Sequence, residues 1–259
     1  MIVDLHNHTP LCNHAEGELF KYVEKALATG TKQFGFADHA PMKFDTKYRM
    51  KFDEMKSYEK EVLDLRDKYK NKIDILLAYE VDFLNGYMDK RVLEADVDYL
   101  IGSVHFIDEW GFDNPEFIGH YEHEDIDIIW QKYFDAVRDM AKSGLFDIVG
   151  HLDLIKVFKF MPKKDISLIA KETLQAIKDA DMVIELNMAG FRKPVAEQYP
   201  SISLLKDAYR LNIPITFSSD AHKPEQVSLF AKELVNLARD VGYQECATFK
   251  KRKREMLKF

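Results

Sequence analysis

Met1-Ile2-Val3-Asp4-Leu5-His6-Asn7-His8 is a short apolar, β-branched run that ends in two histidines two residues apart. Such a run reads as a strand, and period-two spacing sends both imidazoles the same way as the chain leaves it. The arrangement recurs along the sequence. Ala37-Asp38-His39 ends a run that begins at Gln33, Tyr79-Glu80-Val81-Asp82 one from Ile73, and Gly102-Ser103-Val104-His105 one from Tyr99. Gly150-His151 ends a run from Asp147, and Ser218-Ser219-Asp220-Ala221-His222 one from Pro214. With Val183 to Asn187 there are seven predicted strands, six of them delivering His, Glu or Asp at the same end. Stretches at helical spacing lie between most of them, so the pattern predicts repeated β-α units, a parallel sheet and an α/β barrel. In such a barrel the strands all end at one rim, where residues far apart in sequence converge.

The connecting segments agree. Leu19, Tyr22, Val23, Ala26 and Leu27 share one helix face that Gly30 terminates, and Val227, Phe230, Leu234, Leu237 and Val241 share another that ends at Gly242. The unit at Tyr87 to Ala95 is short and charged. Pro41 to Phe52 and Ile107 to Asp125 read as long rim loops of the kind that build pockets. The basic run Lys250 to Arg254 reads as a solvated tail. A chain of 259 residues suits one barrel domain, residues 1–259. Net charge of -7 argues against general affinity for nucleic acid backbone. Two cysteines, Cys12 and Cys246, fit a reducing compartment, and Cys12 reads as a buried thiol rather than a ligand. The start lacks the basic n-region of a signal peptide, and no uncharged run approaches the roughly 18 residues of a membrane span. The expected location is the cytoplasm, with no membrane partner.

Nine residues form the candidate metal set: His6, His8, His14, His39, Glu80, His105, His151, Asp220 and His222. A lone histidine would be a hydrogen-bonded core or surface residue, and His120 and His123, away from a strand end, are read as exposed loop residues. Nine ligands are too many for one ion and suit two or three, each with a position open to water or substrate. Glu80 is the natural bridge because its two oxygens can hold different cations. Nitrogen and oxygen ligands of this kind accept zinc, iron or manganese.

In this order the motifs resemble the polymerase and histidinol phosphatase family of metal-dependent phosphoesterases: His6-Asn7-His8, Cys12-Asn13-His14, Asp38-His39, Glu80-Val81-Asp82, Ser103-Val104-His105, Gly150-His151-Leu152-Asp153 and Ser219-Asp220-Ala221-His222. The resemblance covers nearly the whole chain. It implies a distorted (βα)7, TIM-like barrel with up to three divalent ions at the C-terminal rim of the strands. It further implies one ion on His6, His8, Glu80 and Asp220, a second sharing Glu80 with His105 and His151, and a third on His14, His39 and His222. Phe36 to Pro41, His151 to Lys156 and Asn187 to Pro194 look most like the family's stand-alone histidinol phosphatases. That implies hydrolysis of L-histidinol phosphate to L-histidinol and phosphate, in histidine biosynthesis.

The chemistry expected of such a centre is in-line attack on phosphorus by a metal-bridging hydroxide, the pKa of water falling from about 15.7 to roughly 7. Three ions carry about +6 against about -3 from Glu80, Asp220 and one hydroxide, so an acidic protein can still bind a small phosphomonoester. Arg192 offers a planar fork for phosphate oxygens and Lys156 a point charge. Asp38, His222 and a metal-bound water are candidate proton donors to the leaving group, and Asp38 could equally orient a ligand histidine. Asp82, Phe83, Phe106, Glu109 and Trp110 are candidates for recognising the histidinol moiety. The competing readings are a phosphodiesterase or nuclease acting on nucleotides, disfavoured by acidic rim loops, a protein tyrosine phosphatase, an amidohydrolase, whose bridging lysine has no counterpart, and a metal-binding module without catalysis. Oligomeric state is not legible.

Overall fold

The computed structural model describes residues 1–259. Its strands, in chain order, are β1 (Val3–Asp4), β2 (Gln33–His39), β3 (Asp74–Asp82), β4 (Tyr99–Ser103), β5 (Phe106–Ile107), β6 (Trp110–Gly111), β7 (Ile148–Val149), β8 (Val183–Asn187), β9 (Ile215–Ser218), β10 (Glu245–Lys250) and β11 (Lys253–Lys258). The helices are α1 (Leu19–Ala28), α2 (Met55–Tyr69), α3 (Lys90–Leu93), α4 (Ile126–Lys142), α5 (Ile166–Ile169), α6 (Lys171–Asp179), α7 (Ile202–Arg210) and α8 (Ala231–Val241). Seven strands form one parallel sheet in the order β1-β2-β3-β4-β7-β8-β9. β4 and β8 are buried along their whole length, as expected of strands covered on both faces.

The sheet curls until its two edges meet. Leu5 N donates to Phe217 O at 3.0 Å, Asp220 N to His6 O at 2.7 Å and His8 N to Ala221 O at 2.9 Å. The first of these bonds reaches Phe217 inside β9 and the other two run beyond the ends of the short β1 and β9, so the closure is irregular and continues to the rim. The distorted (βα)7 barrel is therefore closed by the segments that carry His6, His8, Asp220 and His222.

Apolar residues divide accordingly. An outer core packs Tyr22, Val23, Tyr58, Val62, Trp130 and Phe134 of the helices against the sheet. An inner core of Val3, Leu5, Ala78, Ile101, Val183 and Phe217 fills the barrel. The one-sided burial of α1, on Leu19, Tyr22, Val23 and Ala26, matches its sequence face. α8 starts at Ala231, so Val227 and Phe230 precede it, and Gly242 follows with φ 124°.

The C-terminal basic run is not a tail. Lys251 and Arg252 are the left-handed turn of the β10–β11 hairpin. β10 buries Cys246, Ala247, Thr248 and Phe249 beneath the barrel, where Thr216 Oγ1 donates to Ala247 O at 2.8 Å and Phe249 packs on Tyr99. The hairpin plugs the end opposite the histidines, and its basic turn is bonded to Asp96 and Asp98. The charge of Lys250 to Arg254 masks the short run Cys246-Ala247-Thr248-Phe249, which β10 buries along its whole length. The rim loop from Ile107 also holds structure, since β5 and β6 form a small hairpin leading to a 3-10 turn, Pro115–Glu122. His120 and His123 are exposed there, His120 lying against Trp110. No helix is long and apolar enough to cross a membrane.

Candidate metal centre

All nine predicted ligands gather at the closed rim. Four groups have candidate donor atoms within 4.8 Å of one another: His6, His8 and Glu80; Glu80, His105 and His151; His14, His39 and His222; and His8, Cys12 and His222. Glu80 belongs to two of them. Its Oε2 lies 2.9 Å from His39 Nδ1 and 3.4 Å from His6 Nε2, and its Oε1 lies 3.0 Å from His151 Nε2 and accepts from Ser103 Oγ at 2.7 Å. Asp220 enters from the seam, Oδ1 standing 3.1 Å from His8 Nε2. The third group is the most open, with His14 and His222 Nε2 atoms facing each other at 2.9 Å.

Two imidazole nitrogens at that distance satisfy each other only if one is protonated, and a cation between them removes the conflict. His6 Nε2 and Glu80 Oε2 are buried without a hydrogen-bond partner, which is costly unless an ion completes them. The outer nitrogens of five histidines, by contrast, are occupied, while His151 Nδ1 is buried without a partner. His6 Nδ1 faces Glu185 Oε2 at 2.9 Å, His8 Nδ1 faces Asp38 Oδ1 at 3.2 Å and His105 Nδ1 faces Asp82 Oδ1 at 2.7 Å. His14 Nδ1 faces Cys12 O at 2.8 Å and His222 Nδ1 faces Asp220 O at 3.2 Å. An acceptor on the outer nitrogen fixes the tautomer that leaves the inner lone pair free, the usual dress of a metal-binding histidine. The residues present fit two or three divalent cations.

Electrostatics agree with cation binding. Burial opposes charge on Glu80, yet His39, His6 and His105 hold its pKa well below the carboxylate range. Burial likewise opposes protonation of His105, but Asp82 and Glu80 raise its pKa to about 9. The carboxylates thus demand positive charge, which protons supply when metal does not. His39, buried among other histidines, is pushed down to about 4 and presents a neutral imidazole. His151 and Asp220 adopt positive φ, 21° and 48°, conformations that non-glycine residues rarely hold without surrounding support. Cys12 Sγ comes near His8 and His222, but burial raises its thiol pKa and it donates to Thr9 O.

Several expected roles change with these positions. Asp38 is fully buried and its oxygens meet His8 Nδ1, His39 N and Thr9 Oγ1, the placement of a carboxylate that orients a candidate ligand. Lys156 is also fully buried, with Asp153 at 3.0 Å, Glu197 at 2.7 Å and Gln198 O at 2.8 Å, and is spent on the interior rather than on phosphate. Asp82 is held between His105 and Arg49 behind the ligands, not in position to recognise substrate. Arg192 does face the cavity: Nη2 donates to Ser219 O and Asp220 O at 3.0 and 2.8 Å, while Nη1 is buried without a partner.

Glu185 was missed. It accepts from His151 N at 2.7 Å and Asn187 Nδ2 at 2.8 Å besides facing His6, and Asn187 also donates to Asp220. Its signal was a lone carboxylate in Val183-Ile184-Glu185-Leu186-Asn187, a strand otherwise apolar up to its last residue. Above the ligands lies a cavity of about 780 Å³, walled by Phe44, Tyr48 and Arg49 of one rim loop and Glu109, Asp113 and Phe117 of the other.

Comparison with known proteins gives this architecture a family. The PHP domain model matches residues 4–189, and the chain belongs to the PHP domain family. It is 38% identical over 257 residues to the "Probable histidinol-phosphatase" of Deinococcus radiodurans, covering 97% of this chain and 98% of that protein. To the histidinol-phosphatase of Bacillus subtilis it is 28% identical, covering 86% and 94% of the two chains. The fold is shared with the crystal structure of histidinol phosphate phosphatase from Lactococcus lactis complexed with zinc, L-histidinol and phosphate, at a TM-score of 0.80, 24% identity and 98% coverage of both chains.

Proposed function

We propose that the protein is a phosphomonoesterase that hydrolyses L-histidinol phosphate to L-histidinol and phosphate, as a step of histidine biosynthesis in the cytoplasm. The carrying observation is one cavity lined by His14, His39, Glu80, His105, His151, Asp220 and His222 and by Arg192, one of whose guanidinium nitrogens is buried without a partner. Up to three divalent ions, zinc, iron or manganese, would be held by the nine ligands and would supply an activated water and charge to offset the phosphoryl group.

The chain's own residues do the rest. Glu80 and Asp220 contribute the anionic ligands and Asp38, Asp82 and Glu185 aim the imidazoles. Arg192 is fixed by two carbonyls, so Nη1 meets a phosphate oxygen without further ordering. Burial and the neighbouring His8 hold His222 well below the usual histidine range, so it serves as a neutral ligand rather than a proton donor. Glu109 and Asp113 give the outer wall negative charge that suits the ammonium and imidazole of histidinol, and Phe44, Tyr48 and Phe106 give it flat apolar surface. Relatives named histidinol-phosphatase along nearly the whole chain support the same substrate. Asp220 and His222 lie beyond the segment matching the family model, which supports residues 1–259 acting as one catalytic unit.

The test is metal analysis followed by phosphate release from histidinol phosphate, a phosphotyrosine peptide, a nucleotide bisphosphate and a phosphodiester, with and without chelator. Histidinol phosphate should be preferred and activity should vanish with the metal. A large preference for the nucleotide would overturn the substrate, and full activity after verified metal removal would overturn the mechanism.

A further inference from the structure

Of the tyrosine hydroxyls that are themselves buried, one lacks a partner. The hydroxyls of Tyr58, Tyr99, Tyr121, Tyr133 and Tyr243 donate to backbone carbonyls, and Tyr79 donates to Glu59. Tyr199 is 1% exposed and its hydroxyl has no partner. It lines the same cavity as Glu80, Asp220 and Arg192.

Neighbouring segments hold the residue in place. Asn187 N donates to Tyr199 O at 2.7 Å and Tyr199 N to Asn187 O at 2.9 Å, tying the residue to the end of β8 beside the amide that holds Asp220. A Cβ on Gly190 would fall 1.9 Å from Glu197 O and 3.0 Å from Tyr199 Cε2, so only glycine lets this segment lie so close. Lys156 Nζ sits 5.3 Å from the ring centroid and holds Gln198 O and Glu197. Burial, with Asp153 and Asp220 nearby, raises the phenol pKa, so the group keeps its proton and can donate. A buried donor without an acceptor, on a residue that lines the cavity together with Arg192, Glu80 and Asp220, is complementary to an anionic oxygen that arrives with the ligand.

We propose that the Tyr199 hydroxyl donates a hydrogen bond to a phosphoryl oxygen of the substrate, alongside Arg192 Nη1, and is a second phosphate contact that does not depend on metal. Lys156 is the positioning residue behind it. The proposal rests on the phosphomonoesterase reading only in the identity of the ester, because inorganic phosphate should use the same contact.

Tyr199→Phe removes one unbonded oxygen and keeps the packing. In the metal-loaded protein we expect metal content unchanged, thermal stability equal to or above wild type, kcat/KM for histidinol phosphate lower by roughly 10- to 100-fold, and phosphate affinity by calorimetry lower in the same range. Wild-type kcat/KM together with wild-type phosphate affinity would overturn the contact. So would a loss of stability or of metal, which would make the hydroxyl structural. A lower kcat with unchanged phosphate binding would place the hydroxyl at another reacting atom and also overturn it. If the unaltered protein fails to hydrolyse histidinol phosphate, the substrate reading fails, while phosphate calorimetry still decides Tyr199.

Discussion

Glu185→Gln should disable the metal centre without touching a ligand. Glu185 Oε2 faces His6 Nδ1 at 2.9 Å, and Oε1 accepts from His151 N at 2.7 Å and Asn187 Nδ2 at 2.8 Å. A carboxylate satisfies all three donors, but glutamine has one oxygen and one NH2. If its oxygen stays with His151 and Asn187, the NH2 confronts His6, whose proton must then move to Nε2, the atom aimed at the metal. If the amide flips, two donors face an NH2 instead. Either arrangement forfeits at least one hydrogen bond to a charged group, about 1.5–3 kcal/mol, or about 10- to 100-fold in affinity at the His6 position. Because Glu80 is shared, the neighbouring ion should loosen as well. Competition with a chromophoric chelator gives the affinities, and turnover at fixed free metal gives the activity. Wild-type affinity and turnover in the variant would refute the claim that Glu185 selects the His6 tautomer.

Protons should compete with metal. His105 has a pKa raised from 6.5 to about 9 by Asp82 and Glu80, so below pH 9 an ion at Glu80, His105 and His151 must displace its proton, and apparent affinity should weaken as pH falls. In the metal-free protein the sign reverses: this raised pKa gives stability fully present below pH 6.5 and lost as pH rises through about 9, roughly 3 kcal/mol in all. Metal titrations at several pH values and urea melts of the stripped protein check both halves, and pH-independent binding would refute the linkage. Lys156→Met should cost about 3–5 kcal/mol in urea denaturation by stranding the buried Asp153, with Asp153→Asn recovering part of it; unchanged stability with a raised KM would instead return Lys156 to phosphate binding. Arg49→Met should strand Asp82 and free the rim loop held through Asp45, raising KM and weakening metal on His105 together, as steady-state kinetics and metal analysis would show. A change in KM alone would separate the loop from the metal site.

Much of this protein is written locally. Alternation and β-branching place the seven barrel strands to within a few residues, because each is a short apolar run bounded by polar turns. The ligands were legible for a related reason: His, Glu or Asp directly after an apolar strand is a conspicuous local event, and parallel strands in a barrel must bring such residues to one rim. Glu185, Asp82 and Arg49 were harder to assign because their roles depend on what faces them across the barrel. The β10–β11 hairpin was missed because its charged turn and outward face disguise a strand that only the open end of the barrel makes worth burying.

Periodicity and side-chain chemistry at strand ends are enough to read the barrel and the nine candidate ligands that gather at its rim. Which carboxylate faces which imidazole, the burial of Lys156 and Asp38, and the unpartnered hydroxyl of Tyr199 emerge only once the chain is folded. Those outcomes depend on distances between segments as much as 179 residues apart, as at His6 and Glu185, and on burial, which turns a polar group into either a satisfied partner or a waiting one.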